Sequence, residues 1–408
     1  MSKKAYNEEW VFNREVQDTA RRWGKSKLLL PEQVRAIGAA FPSEFYQPHL
    51  FVRIALFIFT CIANTTAAGL VFLAVMGVGE YRSGSEEVRI LLGCLLCGGG
   101  SLLLLELLIS SNHLFRSGVD NALLYLSVGY FAVAVAISYS LLMPHSVDLD
   151  DLQELGLLWP LLALLAVVML TAIIRYADPL AAALTLLLYL GIVGAVVLRL
   201  PLGKALLPFA LMLACAGSYW LVQQLTRRSD YLYYRPAVRT VKALTLACFY
   251  LAGNYLVVRE ANALLHDLLV SEQIRFAPLF YLFTVGIPLL YLYQGLRRAD
   301  RIFLYAGLLS LVFSIYTYRF YRSVLPPEWA LTLGGAFLIL LSGWALRYLR
   351  PARHGLTSEP ADSPSEFSQL NLESLVMSHV TETTMQPHEP GFQFGGGQSG
   401  GGGAEGKW

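Results

Sequence analysis

Ten stretches of predominantly apolar residues, approximately 51–76, 88–111, 121–143, 157–176, 179–199, 204–225, 240–259, 277–297, 301–319 and 328–349, run through the middle of this 408-residue chain. A bilayer core about 30 Å thick takes about 20 residues of helix, so each stretch is long enough to cross it. The apolar character is continuous, whereas the strands of a membrane barrel alternate at every second position. In lipid, backbone groups must be bonded internally, and a helix does that within one segment. The expected fold is therefore all-α: a polytopic transmembrane bundle of about ten helices.

Composition agrees. The chain is 55% hydrophobic and 15% charged, against roughly 25% charged in an ordinary soluble domain. That balance excludes a soluble enzyme, a disordered chain and a secreted disulfide scaffold. The net charge of +2 offers no basic stripe, so nucleic acid is not an expected partner. The five cysteines (Cys61, Cys94, Cys97, Cys215 and Cys248) all fall inside apolar runs and read as small buried hydrophobes. Cys94 and Cys97 form a CxxC with no nearby His to complete a zinc site.

Three regions follow. Residues 1–48 are polar and predict a small cytosolic helical region, with one helix from Glu8 to Gly24 and a second from Glu32 to Phe41 opened by Pro31. This pair is expected to pack on its own membrane domain. The region contains no early apolar segment of the kind that marks a cleavable signal peptide, so the first span is expected to direct insertion. Residues 49–350 form the membrane domain. Residues 351–408, rich in Ser, Pro, Gly and Glu and ending GFQFGGGQSGGGGAEGKW, predict a disordered cytosolic tail with a flexible Gly-rich end.

Orientation comes from the basic residues. With ten spans, 22 of the 31 Lys and Arg fall on the side of the N-terminus and eight on the other, leaving Lys407 at the tail tip. Both termini are accordingly expected in the cytoplasm. The loop around His145, Asp148, Asp150, Asp151 and Glu154 has no Lys or Arg, as an outer loop should. Three inner turns look alike: Arg175-Tyr-Ala-Asp178, Arg227-Arg-Ser-Asp230 and Arg297-Arg-Ala-Asp300. Arg at a helix end meets the negative pole of the dipole, and Asp can cap the next helix. The bundle can thus be a stack of two-helix hairpins; convergence of unrelated turns on Arg and Asp is the alternative.

No nucleotide-binding, zinc-protease, hydrolase-elbow or calcium-loop motif is present, and no cofactor or metal site is implied. Glu106, within Ser101–Ile109, breaks the apolar rule most clearly. An ionised carboxylate at that depth is costly and should face the bundle and find a partner. Lys242 and Arg53 lie at similar depth, so a Glu106–Lys242 or Glu106–Arg53 pair is expected, serving either as a structural tie or as a proton or substrate site. Asn64 and Asn254 are expected to hydrogen-bond across helix interfaces and join the candidate binding set. On the outer half, Arg259, Arg319 and Arg322, with Tyr316, Tyr318, Phe320 and Tyr321 around Arg319, suggest anchoring or an anion or headgroup patch. Gly98-Gly99-Gly100 and Gly286-Ile-Pro288 are the expected helix irregularities, where transporters often bind substrate.

The pattern Trp23-Gly24, Leu28-Leu29-Leu30-Pro31-Glu32-Gln33-Val34 ahead of many hydrophobic spans resembles a group of bacterial inner-membrane proteins defined by a domain of unknown function. That resemblance implies a multi-pass protein of the bacterial inner membrane and supplies no activity. Transport or small-ligand binding is the leading functional reading. A membrane-embedded scaffold or sensor using both termini comes second, and an integral membrane enzyme acting on lipids third. Expected partners are the lipid bilayer, a second copy of the chain, and a cytosolic or membrane partner of the tail.

Overall fold

Among the described residues, the apolar stretches fold as helices. The computed structural model describes residues 4–46, 48–77, 85–143, 151–266, 268, 270–274 and 276–321, with scattered positions between 332 and 347. Two helices precede the bundle: α1 (Glu8–Lys25) and α2 (Pro31–Ala40). Asn7 caps α1 through the amide of Glu9 at 2.9 Å, and Pro31 opens α2. The bundle continues with α3 (Leu50–Gly77), α4 (Ser85–Asn112), α5 (Val119–Leu141), the single turn α6 (Asp151–Glu154), α7 (Leu158–Tyr176), α8 (Pro179–Val197) and α9 (Gly203–Leu225). It goes on with α10 (Tyr231–Gly253), α11 (Tyr255–Leu265), α12 (Ala277–Arg298) and α13 (Arg301–Tyr321). No strand occurs among the described residues; the nearest approach is one isolated bridge, Tyr46 to Leu114.

Eight of these helices are individually long and apolar enough to cross a membrane, and the bent pair α10–α11 makes a ninth if it counts as one span. The chain is thus a multi-pass helical membrane protein. The tenth apolar stretch, 328–349, and the tail 351–408 lie outside the fully described residues, as do Arg322 and the loop residues His145, Asp148 and Asp150.

Contacts sort the connections into two ends. At one end Ala5 donates its amide to the Arg175 carbonyl at 2.9 Å, and Tyr46 does the same to His113 at 3.1 Å. Lys4 reaches Asp230 at 3.3 Å there. This end holds α1 and α2, the start of α3, and the turns after α4, α7 and α9. At the opposite end Tyr139 donates to the Leu157 carbonyl at 2.6 Å and Lys204 to that of Leu265 at 2.5 Å.

Two of the three look-alike turns share one construction. Ala177 and Ala299, at φ 51° and 49°, end α7 and α12 in the left-handed conformation. Asp178 then accepts from the Ala181 amide at 2.8 Å, and Asp300 from the Ile302 amide at 3.1 Å. A carboxylate accepting an exposed amide of the first helical turn is the standard capping device. The third turn differs: Asp230 makes no side-chain cap and pairs with Lys4 instead.

The irregularities fall elsewhere than the glycines and proline suggest. Helix α4 runs unbroken through Gly98–Gly100, and α12 runs unbroken through Pro288. The break comes at Asn254, where α11 leaves the axis of α10 by 69°. The single apolar stretch 240–259 is therefore two helices, the first beginning nine residues earlier than the hydropathy suggests, at Tyr231.

Candidate functional site

Two polar knots are buried in this apolar fold, one at each end. The first surrounds the start of the chain. Tyr6 is buried and donates its hydroxyl to Asp120 at 2.9 Å. Its ring sits edge-on to Phe115 at 5.0 Å and to Tyr176 at 6.4 Å. Asp120 also accepts the amides of Arg116 and Ser117 at 2.6 and 2.8 Å, and the Ser117 hydroxyl at 3.1 Å. Burial, followed by the Asp120 charge, pushes the Tyr6 phenol well above its ordinary value. Burial also lowers the Arg116 guanidinium; Tyr6, Asp178 and Asp120 counter that, while Arg53 adds repulsion.

Glu106 belongs to the rim of this knot, and its partner is neither residue expected from depth. Arg175 holds it through two contacts, Nε to Oε1 at 2.5 Å and a terminal nitrogen to Oε2 at 2.6 Å. The Tyr176 hydroxyl donates to the same carboxylate. Lys242 instead pairs with Asp300. Arg53 is half-buried near Arg116 and Tyr125, and makes no ion pair among the described residues. Matching depth was not enough, because it leaves open which helices are neighbours and which way each side chain leaves its helix. Arg175 and Tyr176 end α7 beside the α4 face that carries Leu105 and Ile109. The two-point geometry is the strong form of an Arg–carboxylate contact and ties α4 to α7.

The Arg175 carbonyl also accepts the Ala5 amide and the Tyr233 hydroxyl. One residue thus joins α4, α7, α10 and the N-terminal segment. Lys4 adds ion pairs with Glu8 at 2.8 Å and Asp230 at 3.3 Å, and Glu15 of α1 pairs with Arg235 of α10.

The second knot is built around the helix break. Asn254 is fully buried and serves both halves of the broken span. Its Oδ1 accepts from the Leu256 and Val257 amides at 3.0 and 3.3 Å, capping α11. Its Nδ2 donates to the Tyr250 hydroxyl at 2.8 Å and to Thr317 Oγ1 of α13 at 3.0 Å. The Tyr255 amide, left free at the start of α11, donates to Thr284 Oγ1 at 2.9 Å. Thr284 lies four residues before Pro288, whose ring nitrogen cannot donate to its carbonyl. The Ser314 hydroxyl fills that role at 2.5 Å. The break in α10–α11 and the proline in α12 are thereby satisfied by one set of hydroxyls. A Cβ on Gly253 would come within 2.9 Å of Ile287 Cδ1, so that side-chain tip would have to shift.

Beside the break, α9, α11 and the start of α12 frame an open cavity of about 430 Å³. Its lining is largely apolar, including Leu211, Ala252 and Phe280, while Lys204, Asn262 and Gln273 bring polar groups. Thr284 lies seven residues into α12, so the break is about 10 Å inside this end at 1.5 Å per residue.

The other expected sites resolve differently. Asn64 accepts from Ser101 at 3.0 Å across α3 and α4. Its Nδ2 is buried without a partner among the described residues. Arg259, not Arg319, holds the aromatic contact at this end. Its guanidinium lies 4.4 Å from the Tyr321 ring and donates to the Ser271 carbonyl at 2.5 Å. Tyr321 donates onward to Glu260 at 2.6 Å. Arg319 is half-buried, while Tyr316, Tyr318 and Phe320 are exposed. Asp120 was marked only as a looser version, with Arg116, of the inner Arg-to-Asp turns, and none of Tyr6, Thr284, Ser314 and Thr317 was marked by the sequence reading. The polar stripe Ser310, Ser314, Thr317 at helical spacing along an otherwise apolar α13 was the available signal.

No family model, curated protein or solved structure matches the chain.

Proposed function

We propose that this is a small-ligand-binding protein of the transport type, crossing the bacterial inner membrane ten times with both termini in the cytoplasm. The compartment rests on the resemblance to multi-pass inner-membrane proteins, and the orientation on the excess of Lys and Arg at the end that carries α1 and α2. The observation that carries the functional reading is the broken span. Non-helical backbone at membrane depth is tolerated where it is buried in protein or lines a cavity, and transporter sites are commonly formed at such breaks. Here the break adjoins a cavity with largely apolar walls and a Lys204 ammonium, a lining suited to an amphipathic anion.

A second reading, a sensor or scaffold, is favoured by the docking of Lys4, Ala5 and Tyr6 onto α5, α7 and the turn before α10.

Single cysteines at Leu211, Asn262 and Lys27, in a chain freed of its five native cysteines, test the leading reading. Membrane-impermeant maleimide should label Leu211→Cys and Asn262→Cys from one face of the membrane and Lys27→Cys from the other. Failure of Leu211→Cys to react while Asn262→Cys does would mean that solvent does not reach the apolar wall of the cavity, and would remove the transport reading. Labelling of all three from one face would overturn the topology.

A further inference from the structure

A second concavity opens on the lipid-facing flank of the bundle, at the end that carries the N-terminal helices. Helices α7, α8, α9 and α10 frame a groove of about 560 Å³. Its lining includes the small or branched residues Ala182, Val222, Ala237 and Val238, all buried against the bundle, and it opens past the exposed Ile174 and Leu221. Along α10 the groove runs from Tyr231 to Val241, about 15 Å at 1.5 Å per residue and half of a 30 Å hydrocarbon core. It therefore matches the depth of a single leaflet.

The mouth is charged. Arg228 and Asp230 lie there with Tyr231 and Tyr234. Asp230 is paired with Lys4, and the Tyr234 hydroxyl is spent on the Ile174 carbonyl at 2.8 Å. Arg228 is exposed and makes no ion pair among the described residues, with Arg227, also exposed, next to it. The electrostatic balance of the mouth is thus positive, directly above an apolar slot one leaflet deep.

We infer that this groove is a binding site for one anionic phospholipid of the adjoining leaflet, an acyl chain lying in the slot and the phosphate on Arg228. A membrane-facing groove accepts acyl chains of any lipid, so specificity resides in the headgroup contact. Interfacial arginine and tyrosine are the residue types that recognise it.

Native mass spectrometry of the full chain, released from detergent with equal phosphatidylglycerol and phosphatidylcholine of identical chains, tests this. The wild type should retain phosphatidylglycerol about five-fold over phosphatidylcholine, the scale of one basic residue against an anionic headgroup. Arg228→Gln should bring the ratio near one without changing the melting temperature, whereas Arg199→Gln, at the opposite end, should leave it unchanged. Equal retention by the wild type, or a preference that survives Arg228→Gln, would overturn the inference. A dimer peak dispersed by Thr185→Phe in the groove would assign the surface to a second copy instead.

Discussion

The Ser314 hydroxyl of α13 donates at 2.5 Å to the Thr284 carbonyl of α12, the carbonyl that Pro288 leaves without its helical amide. A side chain on one helix thus repairs the backbone of its neighbour, and Thr284 in turn receives the Tyr255 amide freed by the break after α10. A proline inside a membrane helix is tolerable when such a donor exists, which is why α12 stays continuous.

Ser314→Ala should cost about 1–3 kcal/mol, the penalty for a buried acceptor left bare. Pro288→Ala restores an amide, so Ser314→Ala should cost measurably less in that background. Thermal unfolding in detergent of the four proteins of the cycle decides it. Equal costs in both backgrounds would show that the hydroxyl does not stand in for the missing amide.

Asn254→Ala removes the α11 cap and two buried donor contacts. A lost cap alone costs about 1–2 kcal/mol. Asn254→Asp keeps the acceptor but gives up the donors, so the melting temperature should fall in the order wild type, Asp, Ala only if capping dominates. Alanine matching or exceeding aspartate would assign the main role to the donation to Tyr250 and Thr317.

Glu106 and Arg175 should be coupled by about 0.5–3 kcal/mol in a double-mutant cycle of Glu106→Gln and Arg175→Gln, the range for residues in one polar network. A matching cycle of Glu106→Gln with Lys242→Gln should show additivity within about 0.5 kcal/mol. Coupling to Lys242 rather than Arg175 would contradict the observed pairing.

Tyr6 gives a pH signature. Burial and the Asp120 charge raise the phenol in the folded protein, and in the unfolded chain it titrates near about 10. A raised folded value means that the stabilising contribution is fully present below pH about 10 and is lost as pH climbs toward the folded value. Tyr6→Phe lacks this titration. The stability difference between wild type and Tyr6→Phe should be flat from pH 7 to 9 and shrink above about 10. Alkaline melts giving a constant difference would place the hydroxyl in solvent.

What the sequence determined by itself was class. Long apolar runs have no other low-energy setting than lipid, so the helical membrane class follows from hydropathy alone, and the clustering of Lys and Arg sorts the loops into two sets. Capping chemistry is equally local, and Asp178 and Asp300 could be read from four residues each. Only the tertiary structure decided the partners. Glu106 finds Arg175, 69 residues away, and Lys242 finds Asp300, because pairing depends on which helices adjoin and on the direction of each side chain. Hydropathy records neither. The break at Asn254 was hidden for the same reason: beside the local Asn254 cap, the hydroxyls of Thr284 and Thr317 on other helices complete the bonding of the broken form.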